Sequence, residues 1–164
     1  MLIVKYKKPI DTVLAWFSIV IMTMLVFCVV WQVFSRYVLN SPSTMTDEIA
    51  RFSMIWVALL GAAYTVGLQK HLSIDLFTHH LTGKKKYISA IVINIIISLF
   101  SCGALIYGGS RLFAKVLSTG QVSPAMQLPM AYIYIVLPLS GVIIFYYCIL
   151  FIIDALINIK KGVA

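Results

Sequence analysis

The chain has 164 residues, of which 62% are hydrophobic and only 11% charged, against roughly 25% charged in soluble globular domains. With a mean hydropathy of +1.00, the apolar surface exceeds what a soluble core can hide, so lipid must cover it and a water-soluble enzyme or binding module is excluded. The net charge of +8 does not point to nucleic acid, because the basic residues form no stripe and instead punctuate the apolar runs.

A membrane helix needs about 20 mostly apolar residues. Charge-free runs of that order predict an all-α integral membrane bundle of four transmembrane helices, at residues 11–36, 48–68, 86–111 and 129–155, in a single membrane domain. The first run, residues 12–35 between Asp11 and Arg36, is too long for the roughly 7 to 15 residue core of a secretory signal. It is expected to stay attached, with Lys5, Lys7 and Lys8 holding its start in the cytoplasm. The next connection, residues 37–46, contains Asn40, Ser41 and Pro42, which end a helix and turn the chain. Ser43 or Thr46 is placed to cap the second helix, with Asp47 and Glu48 in its first turn, where the helix dipole favours anions. Both acids share a face with Arg51 and are expected to form one ion-pair cluster with it. The plainer reading is capping plus a snorkelling arginine; the alternative is a subunit or lipid contact.

After the second run, residues 71–81 can be drawn as a short amphipathic helix lying in the membrane surface between helices 2 and 3. Leu72, Ile74, Leu76, Phe77 and Leu81 take one side, and His71, Asp75, Thr78 and His79 the other. His71, Asp75 and His79 stand four residues apart, but three ligands on one interfacial helix rarely converge on an ion, so a solvated polar face is expected and no metal or cofactor is assigned. Gly83 ends this segment, and Lys84, Lys85 and Lys86 begin the third run among anionic head groups. Gly61 in the second run and Gly103, Gly108 and Gly109 in the third allow close helix approach. Residues 111–127, rich in Ser, Thr, Gly and Pro, are expected to have no fold of their own and to face an outside partner. Pro124 and Pro129 delay the fourth helix to near Pro129, and Pro138 with Gly141 is expected to kink it. Cys28, Cys102 and Cys148 lie inside the runs without C-x-x-C pairing, as small buried hydrophobes do.

The positive-inside rule sets the orientation. Cytoplasmic termini put Lys5, Lys7, Lys8, Lys70, Lys84, Lys85, Lys86, Lys160 and Lys161 inside, against Arg36, Arg111 and Lys115 outside. Within the runs only Gln32, Asn94 and scattered Ser and Thr are polar. Buried charge in a membrane costs about 2.5 to 3.5 kcal/mol on insertion scales and marks ion or proton paths; its absence argues against an autonomous pump and leaves no catalytic residue to name. A self-contained homodimeric transporter would need such a charge, and a membrane enzyme would need a converging nucleophile, base or metal set.

From Gln32 the chain reads QVFSRYVLNSPSTMTDEIARFSMIWVALLGAAYTVGLQKHLSIDLF. This stretch resembles the signature of the small membrane subunit of tripartite ATP-independent periplasmic (TRAP) transporters, through Gln32, Arg36, Tyr37, the acidic pair Asp47 and Glu48, Arg51, Trp56, Gly61, Ala62, His71 and Asp75. The later SPAMQLPMAYIYIVLPLS, residues 123–140, is similar to the family's entry into its last helix. Asp47 departs from the second glutamate usual there but keeps the charge. The resemblance implies a non-enzymatic, four-helix subunit in a bacterial inner membrane. Its partners would be a large multi-spanning transport subunit, a soluble periplasmic substrate-binding protein and membrane lipids. The implied function is sodium-driven import of an organic acid of the dicarboxylate or sialic acid type, with substrate and sodium sites on the large, moving subunit. Arg36 and Arg111 are docking candidates for the binding protein, and the chain is expected to be an unfused version of the subunit because it ends soon after Lys161.

Overall fold

The computed structural model describes residues 2–68 and 84–160, with side chains from residues 7 and 87 onward in these two stretches. Helix α1 spans Leu2–Tyr37 and α2 spans Thr44–Gly67. A third rod begins as α3, Lys84–Phe100, widens into a π-helical segment, Ser101–Gly108, and finishes as α4, Gly109–Thr119. A single turn, α5 (Ala131–Tyr134), leads into α6, Val136–Lys160. Four stretches are long and apolar enough to cross a membrane: Lys7–Tyr37, Thr44–Gly67, Tyr87–Thr119 and Ala131–Lys160. The predicted all-α membrane bundle is therefore the observed class.

Its four rods stand as an open row. The first packs on α2, α2 on α6, and α6 on α3 and the π segment, while α1 and α3 make no sizeable contact among the described residues. The core accordingly lies where α2 and α6 face each other, around Leu60, Ala63, Val136, Ile144, Tyr147 and Cys148. The outer rods stay bare: Trp16, Phe27 and Val30 on α1 and Leu99 and Phe100 on α3 are each more than 60% exposed. In lipid that exposure has no hydrophobic cost, and packing is governed by close fit rather than by escape from water.

That fit depends on two glycines of the last rods. A Cβ at Gly141 would lie 2.8 Å from Leu105 Cβ, and one at Gly109 would lie 2.8 Å from Leu137 Cβ. Beside them the buried Ser101 hydroxyl donates to the Gly141 carbonyl at 2.7 Å. The widened π turns thus meet α6 where it has least bulk. Gly141 was expected to kink its helix; it instead admits the neighbouring backbone. The break falls earlier, at Ile135 between α5 and α6, where Pro138 has no amide proton to offer the Tyr134 carbonyl. Gly61 and Gly103, expected to mediate close packing, have open space at the Cβ position.

The third rod corrects a boundary: it runs eight residues past Arg111 to Thr119, so the segment expected to lack structure is helical over about its first half. At about 1.5 Å per residue, Tyr87–Thr119, 33 residues, is roughly 50 Å long against a hydrocarbon layer of about 30 Å, which calls for tilt or projection. The segment drawn as an amphipathic surface helix, with His71 and Asp75, lies outside the described residues, as do the side chains of Lys84, Lys85 and Lys86.

At the end of the row where α2 finishes, a polar staple joins α1 to α6. The fully buried Tyr147 hydroxyl donates to Asp11 Oδ1 at 2.6 Å. Lys7 lies 3.7 Å from the other carboxylate oxygen and 5.5 Å above the Phe151 ring. Gly67 makes room, since a Cβ there would approach Tyr147 to 2.9 Å. A buried hydrogen bond to a charged acceptor contributes about 1.5–3 kcal/mol. Tyr147→Phe is therefore expected to lower stability by about that amount, read as a reduced unfolding midpoint in detergent. Asp11→Asn should add little once Phe is present, and full additivity in the double-mutant cycle would contradict a shared bond.

Candidate functional site

The opposite end gathers the residues that the sequence singles out. Chain direction reverses there over residues 38–43: Asn40 takes a left-handed conformation, φ 51°, which asparagine tolerates because its short side chain bonds locally. The buried Ser35 hydroxyl donates to the Gln32 carbonyl at 3.0 Å and accepts from the Ser43 amide at 3.4 Å. Ser43 occupies the N-cap position of α2, but its side chain makes no capping bond, and the Thr46 hydroxyl donates back to the Ser43 carbonyl instead. The expected side-chain cap is therefore absent.

Asp47 performs a different task. Its Oδ1 accepts from Gln32 Nε2 at 2.7 Å, across the α1–α2 interface, and its Oδ2 takes Arg51 at 2.5 Å, one turn along its own helix. Glu48 does not join that ion pair. Its two oxygens accept the backbone amides of Ala125 and Met126 at 2.9 and 3.0 Å, so one carboxylate secures a loop 77 residues away. The expectation of a single three-residue ion cluster is corrected accordingly: Asp47 and Arg51 pair, and Glu48 clasps the loop.

The loop is shaped for this. Val122 bridges Pro129 as an isolated antiparallel pair. The Ser123 amide donates to the Leu128 carbonyl at 2.9 Å, and the Met130 amide to the Gln121 carbonyl at 2.9 Å. Gln127 takes the left-handed conformation at φ 55°, and Ser123 is fully buried. Such a tight hairpin turns its Ala125 and Met126 amides outward from its own bonding, and an anion that accepts two of them is strongly held. Between α2 and this loop opens a groove of about 760 Å³, lined among others by Arg51, Phe52, Met54 and Met130.

The remaining candidates are dispersed. Arg36 is exposed at the last turn of α1. Arg111 lies in α4 with its guanidinium 5.3 Å from the centre of the Tyr107 ring, a cation–π contact. Trp56 faces Phe17 across α1 and α2, ring centres 6.0 Å apart, and packs against the core. Among the described residues no group of three or more His, Cys, Asp or Glu is arranged to hold a metal. The sequence reading missed the Glu48 contact because a carboxylate seeking backbone amides has no partner residue type to reveal it.

Glu48→Gln leaves one acceptor for two amides. Loss of a charge-assisted bond of about 1.5–3 kcal/mol should speed amide exchange at Ala125 and Met126 by about tenfold or more. Unchanged protection in hydrogen exchange would show that the loop holds itself.

The whole clasp lies inside the region of family likeness. The family model described as "Tripartite ATP-independent periplasmic transporters, DctQ component" matches residues 24–158. The sialic acid TRAP transporter small permease protein SiaQ of Vibrio cholerae is 28% identical over 103 residues, 63% of this chain and 59% of that protein. The isethionate TRAP transporter permease protein DctMQ of Oleidesulfovibrio alaskensis is 27% identical over 141 residues, 82% of this chain but 21% of that much longer protein. A TRAP transporter small permease protein of Haemophilus influenzae is 24% identical over 142 residues, 87% of this chain and 84% of its own length. The chain thus spans less than two thirds of the first two relatives and most of the third. With a match that runs from the middle of the first span nearly to the end of the fourth, this multi-pass membrane protein belongs to the family of the DctQ component of tripartite ATP-independent periplasmic transporters.

Proposed function

We propose that the chain is the anchoring, non-catalytic subunit of a sodium-coupled, binding-protein-dependent importer of organic acids in a bacterial inner membrane, with both termini in the cytoplasm. A large multi-spanning transport subunit carries the substrate and sodium sites and moves, while this row of helices stays fixed in the bilayer. The observation that supports the reading best is chemical: residues 12–35, 52–67, 87–110 and 131–153 contain no Asp, Glu, Lys, Arg or His. An organic anion and its sodium ions need polar groups at the membrane midplane, so they cross elsewhere.

Two relatives support the cargo class by their names, sialic acid for one and isethionate for the other; both are organic acids. The much longer DctMQ relative supports a large membrane partner. The clasp gives the loop end a defined shape for a soluble periplasmic partner, with Arg36 and Arg111 as its docking charges, and His71, Asp75 and Trp56 belong to the subunit or lipid interface. Lys84, Lys85 and Lys86 hold the opposite rim to anionic head groups.

A tagged chain is expected to bring a much larger membrane protein through detergent purification, and cells lacking the chain should lose binding-protein-dependent uptake. Retained uptake in those cells contradicts the reading. Charge reversal at Arg36 or Arg111 should weaken uptake without loss of assembly; unchanged uptake and docking removes the docking role. For orientation, a Ser41→Cys substitution should react with a membrane-impermeant maleimide from the periplasmic side, and a Lys160→Cys substitution only after lysis. The reverse pattern inverts the topology.

A further inference from the structure

One face of α2 has no partner among the described residues. Arg51, Met54, Ala58, Ala62 and Thr65 are all exposed, and at 100° per residue they fall within an arc of about 80°. The other sides of the helix are occupied: Leu60, Ala63 and Val66 are buried in the core. At the head of the bare face the Arg51 side chain is 73% exposed. Among the described residues it pairs with one acid, Asp47, whose second oxygen is bound by Gln32. Both oxygens of the neighbouring Glu48 are held by the loop amides, so most of the guanidinium's five donors face outward.

Below Arg51 the chemistry changes. Phe52, Met54, Ile55 and Met130 give the groove an apolar wall. Next along the same face come Ala58 and Ala62, with Gly61 beside them, where a Cβ would meet nothing within 4 Å. From Arg51 to Ala62 the helix advances about 16 Å, close to the roughly 15 Å depth of one leaflet's hydrocarbon. A cationic, bidentate donor at the rim and, beyond the groove, an exposed run of small residues about one leaflet long form a pattern of charge and length.

We infer that this face holds one glycerophospholipid of the leaflet at the loop end, its phosphate on the Arg51 guanidinium and an acyl chain laid along Ala58, Gly61 and Ala62. The fork of guanidinium donors matches two phosphate oxygens. A partner helix seated here would instead have to bury that guanidinium or bring a carboxylate to it. Lipid places an anion at this depth without any such requirement.

Native mass spectrometry of the full chain, released from detergent after washing and re-lipidation with phosphatidylglycerol or phosphatidylethanolamine, tests the site. The wild type should retain one phospholipid, and inorganic phosphate should not displace it. Arg51→Gln should weaken retention about tenfold or more, as expected for losing a charge-assisted contact. Ala58→Leu with Ala62→Leu, which puts bulk on the small-residue run and leaves Arg51 in place, should weaken it as well, while Arg51→Lys should retain part. Each variant is compared with wild type for monodispersity and unfolding midpoint, so that a fold defect is separated from a lost ligand. No retained lipid on the wild type, or retention unchanged in Arg51→Gln and in the Leu pair, overturns the assignment. So does crosslinking of an Arg51→Cys variant to a co-purified protein in place of lipid, since the face then belongs to a subunit.

Discussion

Hydrocarbon admits polar groups only where each finds a partner, and that constraint organises this chain. Among the described residues the paired charges stand at the two ends of the helical row and there do structural work. At one end Asp11 accepts from the buried Tyr147 and draws in Lys7, which fixes α1 to α6 although the two otherwise scarcely meet. At the other, Gln32, Asp47 and Arg51 join α1 to α2, and Glu48 fastens the distant hairpin to α2. Between the ends the rods rely on close fit at Gly109 and Gly141 and on the buried Ser101 bond. Among the described residues, Ser18 Oγ is the one buried side-chain polar atom without a partner. Few unmet polar groups in a molecule so exposed to lipid are what membrane insertion demands.

An open row, rather than a closed bundle, gives a wide apolar surface for a modest number of residues. The fourth rod sits inside and the first and third at the edges, so much of the lateral surface is available to lipid or to another membrane protein. The row is also stepped. Tyr147 lies against Gly67, the last residue of α2, yet α6 continues to Lys160, about 20 Å further along its axis. Long rods with charges at both rims resist rotation and sinking in the bilayer, which fits the static role proposed for the chain.

Much of this was legible in the sequence. Each charge-free run falls on one of the four long apolar helices, and the restart near Pro129 lies within two residues of Ala131, whereas α2 begins at Thr44, four residues before the expected start. Helical spacing found the Asp47–Arg51 pair. What escaped depends on contacts between distant segments. Asp11 read as the boundary of a run, because nothing local announces a tyrosine 136 residues away. Glu48 read as a helical neighbour of Arg51, while its actual partners are backbone amides common to all residue types. The π turns and the helical extension past Arg111 depend on how α6 presents Gly141 and Pro138, and the glycine that matters most at the staple, Gly67, ends a run in which Gly61 looked the better candidate.

The central claim is that this chain supports transport without conducting. Proteoliposomes containing the chain alone, the chain with the proposed large membrane partner, and that partner alone should be compared for solute uptake under an inward sodium gradient with the proposed soluble binding protein present. The account predicts uptake only where both membrane proteins are present. Accumulation of solute in liposomes holding the chain alone would contradict it.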